Sequence, residues 1–346
     1  MTTTPPTIQS ETTTMTTTPE TMQAIVQDVY GTVPEEVLRL DVVERPAVED
    51  DEILVRVAAA GVDRGTWHLM AGLPYLVRAV GFGLRSPKER VPGLDVAGTV
   101  EAVGRSVTGF EPGDEVFGIA GGSFAEYAVA SPDKLAPKPA ALSFEQAAAV
   151  PVSGLTALQG LRDQAGLEAG QTVLIVGASG GVGTYAVQIA KALGAEVTGV
   201  CSTAKVAMVR ALGADHVIDY SEADFADGGH RYDAILDIGG NRSLSDLRRA
   251  LAPDGRLVIV GGEEGGRWFG GIDRQLRAVL VSPLVSQKLG TFVSSENAED
   301  LTTLADLVES GEIEPAVDRT YPLREAASAM RHLIDGQARG KVVLTL

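Results

Sequence analysis

Between residues 22 and 144 the apolar positions come in short runs broken by proline and glycine. "EILVRVAAAGV" (52–62), "VAGTVEAVG" (96–104), "DEVFGIA" (114–120) and "FAEYAVA" (124–130) read as strands, with polar residues interleaved in the last three. Pro112-Gly113-Asp114 supplies a turn between two of them. Several short strands at this spacing predict a small, partly open β-barrel. Near Glu145 the rhythm changes. "TVLIV" (172–176), "AEVTGV" (195–200), "HVID" (216–219), "YDAILDIGG" (232–240) and "GRLVIVGG" (255–262) are strand-like. The intervening segments 182–193, 203–212 and 243–251 carry helical patterning. Alternation of this kind predicts a parallel, doubly wound sheet, so the fold class is α/β. Beyond about Pro283 come helices at 297–310 and 324–335 and a last strand, "KVVLTL". The expected organisation is a tail at 1–21, a barrel domain at 22–144, a dinucleotide-binding domain at 145–283 and a C-terminal segment at 284–346.

Composition narrows the partners. The 346 residues include 46 acidic and 29 basic side chains, a formal net charge of −17 that argues against nucleic acid and anionic membranes. The 45% hydrophobic content suits a globular protein with a generous core. A single cysteine, Cys201, permits neither an internal disulfide nor a cysteine-based zinc cluster and favours a reducing cytoplasm. The opening "MTTTPPTIQSETTTMTTTPE" has no basic n-region and no apolar h-region, so it reads as a disordered tail, with Met15 or Met22 as alternative starts. No run reaches about eighteen apolar residues.

The chemistry begins at Gly177. The strand 172–176 runs into Gly177-Ala178-Ser179-Gly180-Gly181-Val182-Gly183 and then a helix. With Ala178 in the first position this is A-x-G-x-x-G. Gly180 allows the backbone to approach a pyrophosphate, and Gly183 allows close helix–strand packing. Free N–H groups at the helix start face the phosphates. An NAD site commonly places Asp or Glu about twenty residues further on. Here "GVCSTAK" offers Ser202, Thr203 and Lys205 and no carboxylate. Hydroxyls and an ammonium accommodate a 2′-phosphate, so the expected cofactor is NADPH.

With these motifs in place, the chain resembles the medium-chain dehydrogenase/reductases over everything after Met22. "VPGLDVAGTVEAVG", "FEPGDEVFG", "FAEYAV", "EQAAAVPVSGLTAL", "GASGGVG", "LGADHVIDY" and "ARGKVVL" follow in that family's order. It is most similar to the zinc-independent quinone oxidoreductase group, in the branch of the reticulon-4-interacting protein. The resemblance implies a GroES-like barrel, to which the C-terminal segment returns, and a Rossmann domain inserted between, with catalysis in the cleft. It also implies a homodimer, and it pairs Lys205 with Tyr220 around the 2′-phosphate. Gly239, Gly240 and Asn241 are implied beside the cofactor, as are Gly340 and Lys341.

Departures from the family bear on metal and proton. Asp63 stands where zinc-dependent members have a Cys, Gly93-Leu94-Asp95 replaces Gly-His-Glu, and "AVPVSG" holds no Cys. No metal is therefore expected. Related quinone and enoyl reductases set an Asn and a Tyr against the nicotinamide. Asp63 takes the Asn position, and the nearest tyrosine, Tyr75, is one residue out of register. Tyr75 is the candidate donor or positioning hydroxyl, with Asp63, Trp67 and His68 lining the cleft. The following "LVRAVGFGLRSPKER" carries Arg78, Arg85, Lys88 and Arg90 and reads as a solvated loop or a basic rim for an anionic acceptor. The leading functional reading is NADPH-dependent reduction of quinones or activated carbonyls and enones, with a small-molecule electron acceptor. The alternatives are a zinc-free NADP-dependent alcohol or aldehyde oxidoreductase, and an NADPH-binding sensor or assembly protein.

Overall fold

The computed structural model describes residues 21–262 and 266–346; the tail expected over 1–21 lies, apart from Thr21, outside the described residues. Strands β1 (Thr21–Val26) and β2 (Arg39–Glu44) form an antiparallel hairpin. The barrel strands are β3 (Ile53–Val62), β4 (Asp95–Val103), β5 (Glu115–Ile119), β6 (Tyr127–Ala130) and β7 (Leu135–Pro137). The parallel sheet holds β8 (Thr172–Val176), β9 (Glu196–Cys201), β10 (His216–Asp219), β11 (Tyr232–Asp237), β12 (Leu251–Ile259) and β13 (Lys288–Thr291). The last two, β14 (Val317–Pro322) and β15 (Lys341–Thr345), join the barrel sheet, whose order is β14-β15-β3-β4-β5-β7 with β6 on β3.

The parallel sheet has the order β10-β9-β8-β11-β12-β13. Chain direction therefore reverses its progress across the sheet between β8 and β11, the place where such sheets open a ligand crevice. Val173, Leu174 and Ile175 of β8 are fully buried, as an unbroken apolar run must be when helices cover both faces. The helices used below are α1 (Arg64–Ala71), α2 (Pro151–Gln159), α3 (Gly181–Ala192), α4 (Val206–Ala211), α5 (Leu244–Ala250), α6 (Ile272–Val281), α7 (Ala298–Glu309) and α8 (Ala326–Ile334). Side-chain caps set several starts: Asp63 accepts from Thr66 N, Ser243 from Asp246 N and Asn297 from Asp300 N. One core runs from Ala59, Ala97 and Phe117 of the barrel through α2 to Val173 and Ile175 of the sheet, so the two halves share an apolar interior.

Three expectations shift. The parallel sheet does not close by residue 283, because β13 pairs with β12 at Lys288–Thr291. "KLGT" is short and lacks apolar alternation, which hides it from pattern reading. The expected strand 124–130 is regular only from Tyr127, since Phe124 and Glu126 bond instead to the hairpin strand β1 (Ile25 N to Phe124 O, 2.8 Å; Glu126 N to Gln23 O, 3.0 Å). The helix expected at 203–212 opens as a tight 3-10 turn, Thr203–Lys205, before α4 begins.

Candidate functional site

The turn between β8 and α3 is pinned before it reaches any ligand. Gly177 N and Ala178 N both donate to Val200 O of β9, at 3.1 and 3.0 Å. Gly177 has φ +91°, a conformation that favours glycine. A Cβ on Gly183 would lie 2.1 Å from Gly177 O, so only glycine lets helix and strand approach this closely. At Gly180 the nearest atom is 3.6 Å from such a Cβ, which leaves that side of the turn open to an incoming group. The first intrahelical bond is Thr184 N to Gly180 O, so the amides of Gly181, Val182 and Gly183 lie ahead of it in the region of unpaired helix donors. Ser179 is buried, and its carbonyl accepts Gly340 N at 3.0 Å. Gly340 thus ties the C-terminal segment directly to the glycine turn.

At the end of β9, Ser202 leads into the 3-10 turn and Thr203 Oγ1 lies 3.1 Å from Ser221 Oγ. Lys205 Nζ donates to Gly336 O (3.0 Å) and Ala338 O (2.7 Å). Burial pulls its pKa below the ordinary lysine value; Asp318 opposes that shift and the Arg339 charge adds to it. Tyr220 is exposed at the end of β10. Asp219, which pattern reading did not single out, is held low by hydrogen bonds from Thr203 and Ser221. The carboxylate absent from "CSTAK" is therefore present on the neighbouring strand, although it is already bonded to two hydroxyl residues.

The loops after β11 and β12 lie side by side next to the switch point. Ile238 N and Gly239 N both donate to Val176 O at 3.0 Å, and Gly240 N reaches Asp237 Oδ1 at 3.3 Å. Asn241 is exposed beside them. Arg274 of α6 clamps both loops. Its guanidinium pairs with buried Asp237 and donates to Arg242 O at 2.8 Å and Gly261 O at 2.9 Å. Burial raises the Asp237 pKa while Arg274 works against the rise. Neither residue was expected in the site. Only an aspartate ending an apolar strand hinted at it.

The barrel contributes a second buried pair. Asp95 opens β4 with no solvent exposure, and its Oδ2 accepts from Lys341 Nζ at 2.7 Å. Asp95 Oδ1 accepts from Val152 N at 2.7 Å. Burial pushes the Asp95 carboxyl up to about 6, against the pull of Lys341. The stem of Lys341 lies under the glycine turn, where a Cβ on Gly181 would sit 3.0 Å from its Cδ. The ammonium of Lys341 thus supports the turn from within the protein, enclosed with Asp95.

Three of the four residues expected to line the cleft gather at α1. Asp63 caps the helix through Oδ1, and its Oδ2 is buried with no partner. Trp67 Nε1 is likewise buried and unpaired, and the Trp67 ring meets His68 edge-on at 4.8 Å. His68 Nδ1 lies 3.0 Å from Leu73 O. Tyr75 sits apart, its ring edge-on to Trp268 of the opposite domain at 5.2 Å and 4.7 Å from the Arg78 guanidinium. Two of the four basic residues of the next segment are engaged. Arg78 Nε donates to Gly72 O (2.8 Å), and Arg90 Nε to Asp28 Oδ1 (2.8 Å).

A zinc ion does not fit this donor set. Among the described residues no three His, Cys, Asp or Glu side chains gather around one point. Asp95 is already neutralised by an ammonium, Asp63 is a helix cap, and Cys201 is buried at the end of β9. A dinucleotide does fit. The open face of Gly180, the helix amides and the clamped loops all lie at the carboxyl ends of the parallel strands β8, β11 and β12.

Comparison with known proteins gives the same arrangement a lineage. Residues 49–140 match the family model of the alcohol dehydrogenase GroES-like domain, and residues 212–344 match that of the zinc-binding dehydrogenases. The chain is 32% identical over 314 residues to the chloroplast envelope quinone oxidoreductase homolog of Arabidopsis thaliana, covering 86% of this chain and 91% of that one. It superposes on the quinone oxidoreductase of Coxiella burnetii with a TM-score of 0.83 and 31% identity, covering 94% of this chain and all of the other. A mycobacterial protein solved in complex with NADPH aligns at a TM-score of 0.78 and 29% identity, over 94% of this chain and 100% of that one.

Proposed function

We propose, for a chain that belongs to the medium-chain dehydrogenase/reductase family and is an oxidoreductase of its quinone oxidoreductase type, that the cofactor is NADPH and the acceptor a quinone or an activated carbonyl or enone, reduced without zinc. One observation carries the cofactor reading. The end of β9 presents Ser202, Thr203 and a partly desolvated Lys205 that donates to the neutral carbonyls of Gly336 and Ala338. A 2′-phosphate would offset that desolvation and accept from both hydroxyls. Tyr220 stands beside it as a flat exposed face for the adenine.

When bound, NADPH supplies a hydride, so that a quinone plus that hydride and one solvent proton becomes the hydroquinone and NADP+. The residues of this chain do the rest. Ala178 to Gly183 hold the pyrophosphate, Gly239 to Asn241 flank the nicotinamide end, and Gly340 with Lys341 keeps the glycine turn in place. Asp63, Trp67 and His68 wall the acceptor side. Tyr75, edge-on to Trp268, closes the mouth between the domains and keeps bulk water from the reacting atoms. A quinone asks for no strong acid, which suits a site whose nearest carboxylates are a cap and a salt bridge.

No described helix is long and apolar enough to cross a membrane. We place the protein in the cytoplasm as a homodimer, a state supported by the exposed Leu276, Val279 and Leu280 of α6, which packs beside the edge strand β13. The test is NADPH oxidation by chelator-treated protein with an ortho-quinone, an enone and an aldehyde, and with NADH as control. Turnover of quinone or enone with NADPH supports the reading. Activity only on aldehydes moves it to the alcohol and aldehyde oxidoreductases. Tight NADPH binding with no oxidation points to a sensor, and dependence on added zinc or a preference for NADH overturns it.

A further inference from the structure

The short segment between α8 and β15 is stitched to the cofactor side of the molecule. Lys205 Nζ, at the end of β9, donates to Gly336 O at 3.0 Å and to Ala338 O at 2.7 Å. Gly340 N donates to Ser179 O at 3.0 Å, and Gly340 forms a bridge with Gly180 of the glycine turn. Arg339 stands between these attachments. Its neighbours Ala338 and Gly340 are buried while Arg339 is exposed, so its side chain leaves the segment outward, between the end of β9 and the glycine turn.

The backbone that carries Arg339 is held in place. Gly340 has φ +98°, and a Cβ on it would lie 2.2 Å from Ala316 O. Lys341 N donates to that same carbonyl at 2.8 Å, and Lys341 Nζ is fixed to Asp95 at 2.7 Å. Among the described residues the Arg339 guanidinium has no hydrogen bond and no ion pair. Its charge does reach Lys205: burial lowers that ammonium's pKa, and the repulsion from Arg339 lowers it further. The carboxylates beside this pair are already engaged. Asp318 Oδ2 lies 2.7 Å from His332 Nε2, and Asp219 Oδ1 accepts from Ser221 N at 3.0 Å and Ser221 Oγ at 2.7 Å. Two cations drawn together, with the neighbouring anions occupied, suit a phosphate monoester carrying close to two negative charges.

We infer that Arg339 is a second reader of the 2′-phosphate, closing on it from the C-terminal segment while Lys205 approaches from the parallel sheet. The two cations divide the work. Lys205 supplies a point charge, and Arg339 supplies a planar fork that can give two parallel hydrogen bonds to one phosphate. The pyrophosphate, which NADH carries as well, is left to the amides at the start of α3. The inference rests on the NADPH reading and adds to it a specificity-determining residue from the segment that completes the barrel.

The experiment compares wild type with Arg339→Ala, Arg339→Lys and Lys205→Glu. The probes are adenosine 2′,5′-bisphosphate and adenosine 5′-monophosphate, with NADPH and NADH beside them, and affinities are measured by calorimetry, which needs no turnover. A thermal midpoint reports on folding; for a change at an exposed side chain it should stay within about 2 °C of wild type. Arg339→Ala is expected to weaken the bisphosphate and NADPH about 10-fold and to leave the monophosphate and NADH within about twofold. Arg339→Lys should recover part of that loss, to about threefold below wild type, because the charge returns without the fork. Equal losses for the two adenosine probes would overturn the assignment and place Arg339 at the pyrophosphate. Undiminished bisphosphate affinity in Arg339→Ala, with Lys205→Glu still impaired, would overturn it and leave the NADPH reading standing. A wild type that binds both probes equally well overturns the NADPH reading and this inference with it.

Discussion

Two carboxylates are buried on opposite sides of the cofactor cleft, and they are held in different ways. Asp95, from the barrel, faces Lys341 through one contact, and the Lys341 side chain is 2% exposed. Asp237, from the parallel sheet, faces Arg274, whose planar fork also takes the carbonyls of residues 242 and 261. A lysine neutralises a point, while an arginine organises a neighbourhood. The first pair bears on the stability of the junction under the glycine turn. The second holds the shape of two loops.

That contrast can be broken by experiment. Asp95→Ala strands the Lys341 ammonium inside the protein and should cost about 3–5 kcal/mol, read as the largest fall in urea midpoint of any variant named here. Asp237→Ala should cost less, about 2–3 kcal/mol, because Arg274 keeps its carbonyl partners. Replacing the first pair with apolar groups, Asp95→Leu together with Lys341→Met, should recover most of the loss. A double variant as unstable as Asp95→Ala would mean that the pair fixes geometry rather than offsetting charge.

Smaller effects sharpen the comparison. Lys205 is a third desolvated cation, and it donates to the carbonyls of Gly336 and Ala338. Lys205→Glu should raise KM for NADPH about 10–100-fold, about 1.4–2.8 kcal/mol, with little change for NADH. Arg274→Lys keeps the charge and loses the fork. It should leave the melting point nearly unchanged but raise KM for NADPH about 10-fold as the two loops loosen. A further effect is one of pH. The Asp95 carboxyl sits at about 6 in the folded protein against an ordinary 3.8, so the folded state binds the proton more tightly than the unfolded state. The stability linked to this carboxyl is full below the ordinary value and is lost as pH rises through about 6. Denaturation midpoints measured across that window should slope downward in wild type and flatten in Asp95→Asn.

The residues named from sequence show what a one-dimensional reading can reach. Ala178, Gly180 and Gly183 were legible because a glycine turn between a strand and a helix is one contiguous stretch whose constraints are steric. Strands β8 to β12 were legible as elements because short apolar runs alternating with helical segments mark a parallel sheet covered on both faces. The ion pairs were not, because Asp95 and Lys341 are 246 positions apart and Asp237 and Arg274 are 37 apart. An aspartate opening an apolar strand announces that it needs a partner and does not say which. Tyr75 was noticed for its hydroxyl, yet its ring is what the fold uses, against a tryptophan that no local pattern linked to it. The run of basic residues after it looked like a rim for an anion. Two of those charges are instead engaged within the barrel domain, Arg78 with Gly72 O and Arg90 with Asp28.

The pairing of β15 with β3 has a consequence for how the molecule is made. Residues 59–62 of β3 bond to residues 342–345, so the barrel cannot complete its sheet until the chain has passed through the whole parallel domain. At roughly 5–20 residues per second of synthesis, that wait is on the order of tens of seconds. During it the inserted domain, whose strands β8 to β13 all lie within residues 172–291, has every contact it needs to form first. The half of the protein that emerges earlier is then the half that finishes later, and it spends the interval with an apolar strand edge exposed to chaperones or to other copies of itself.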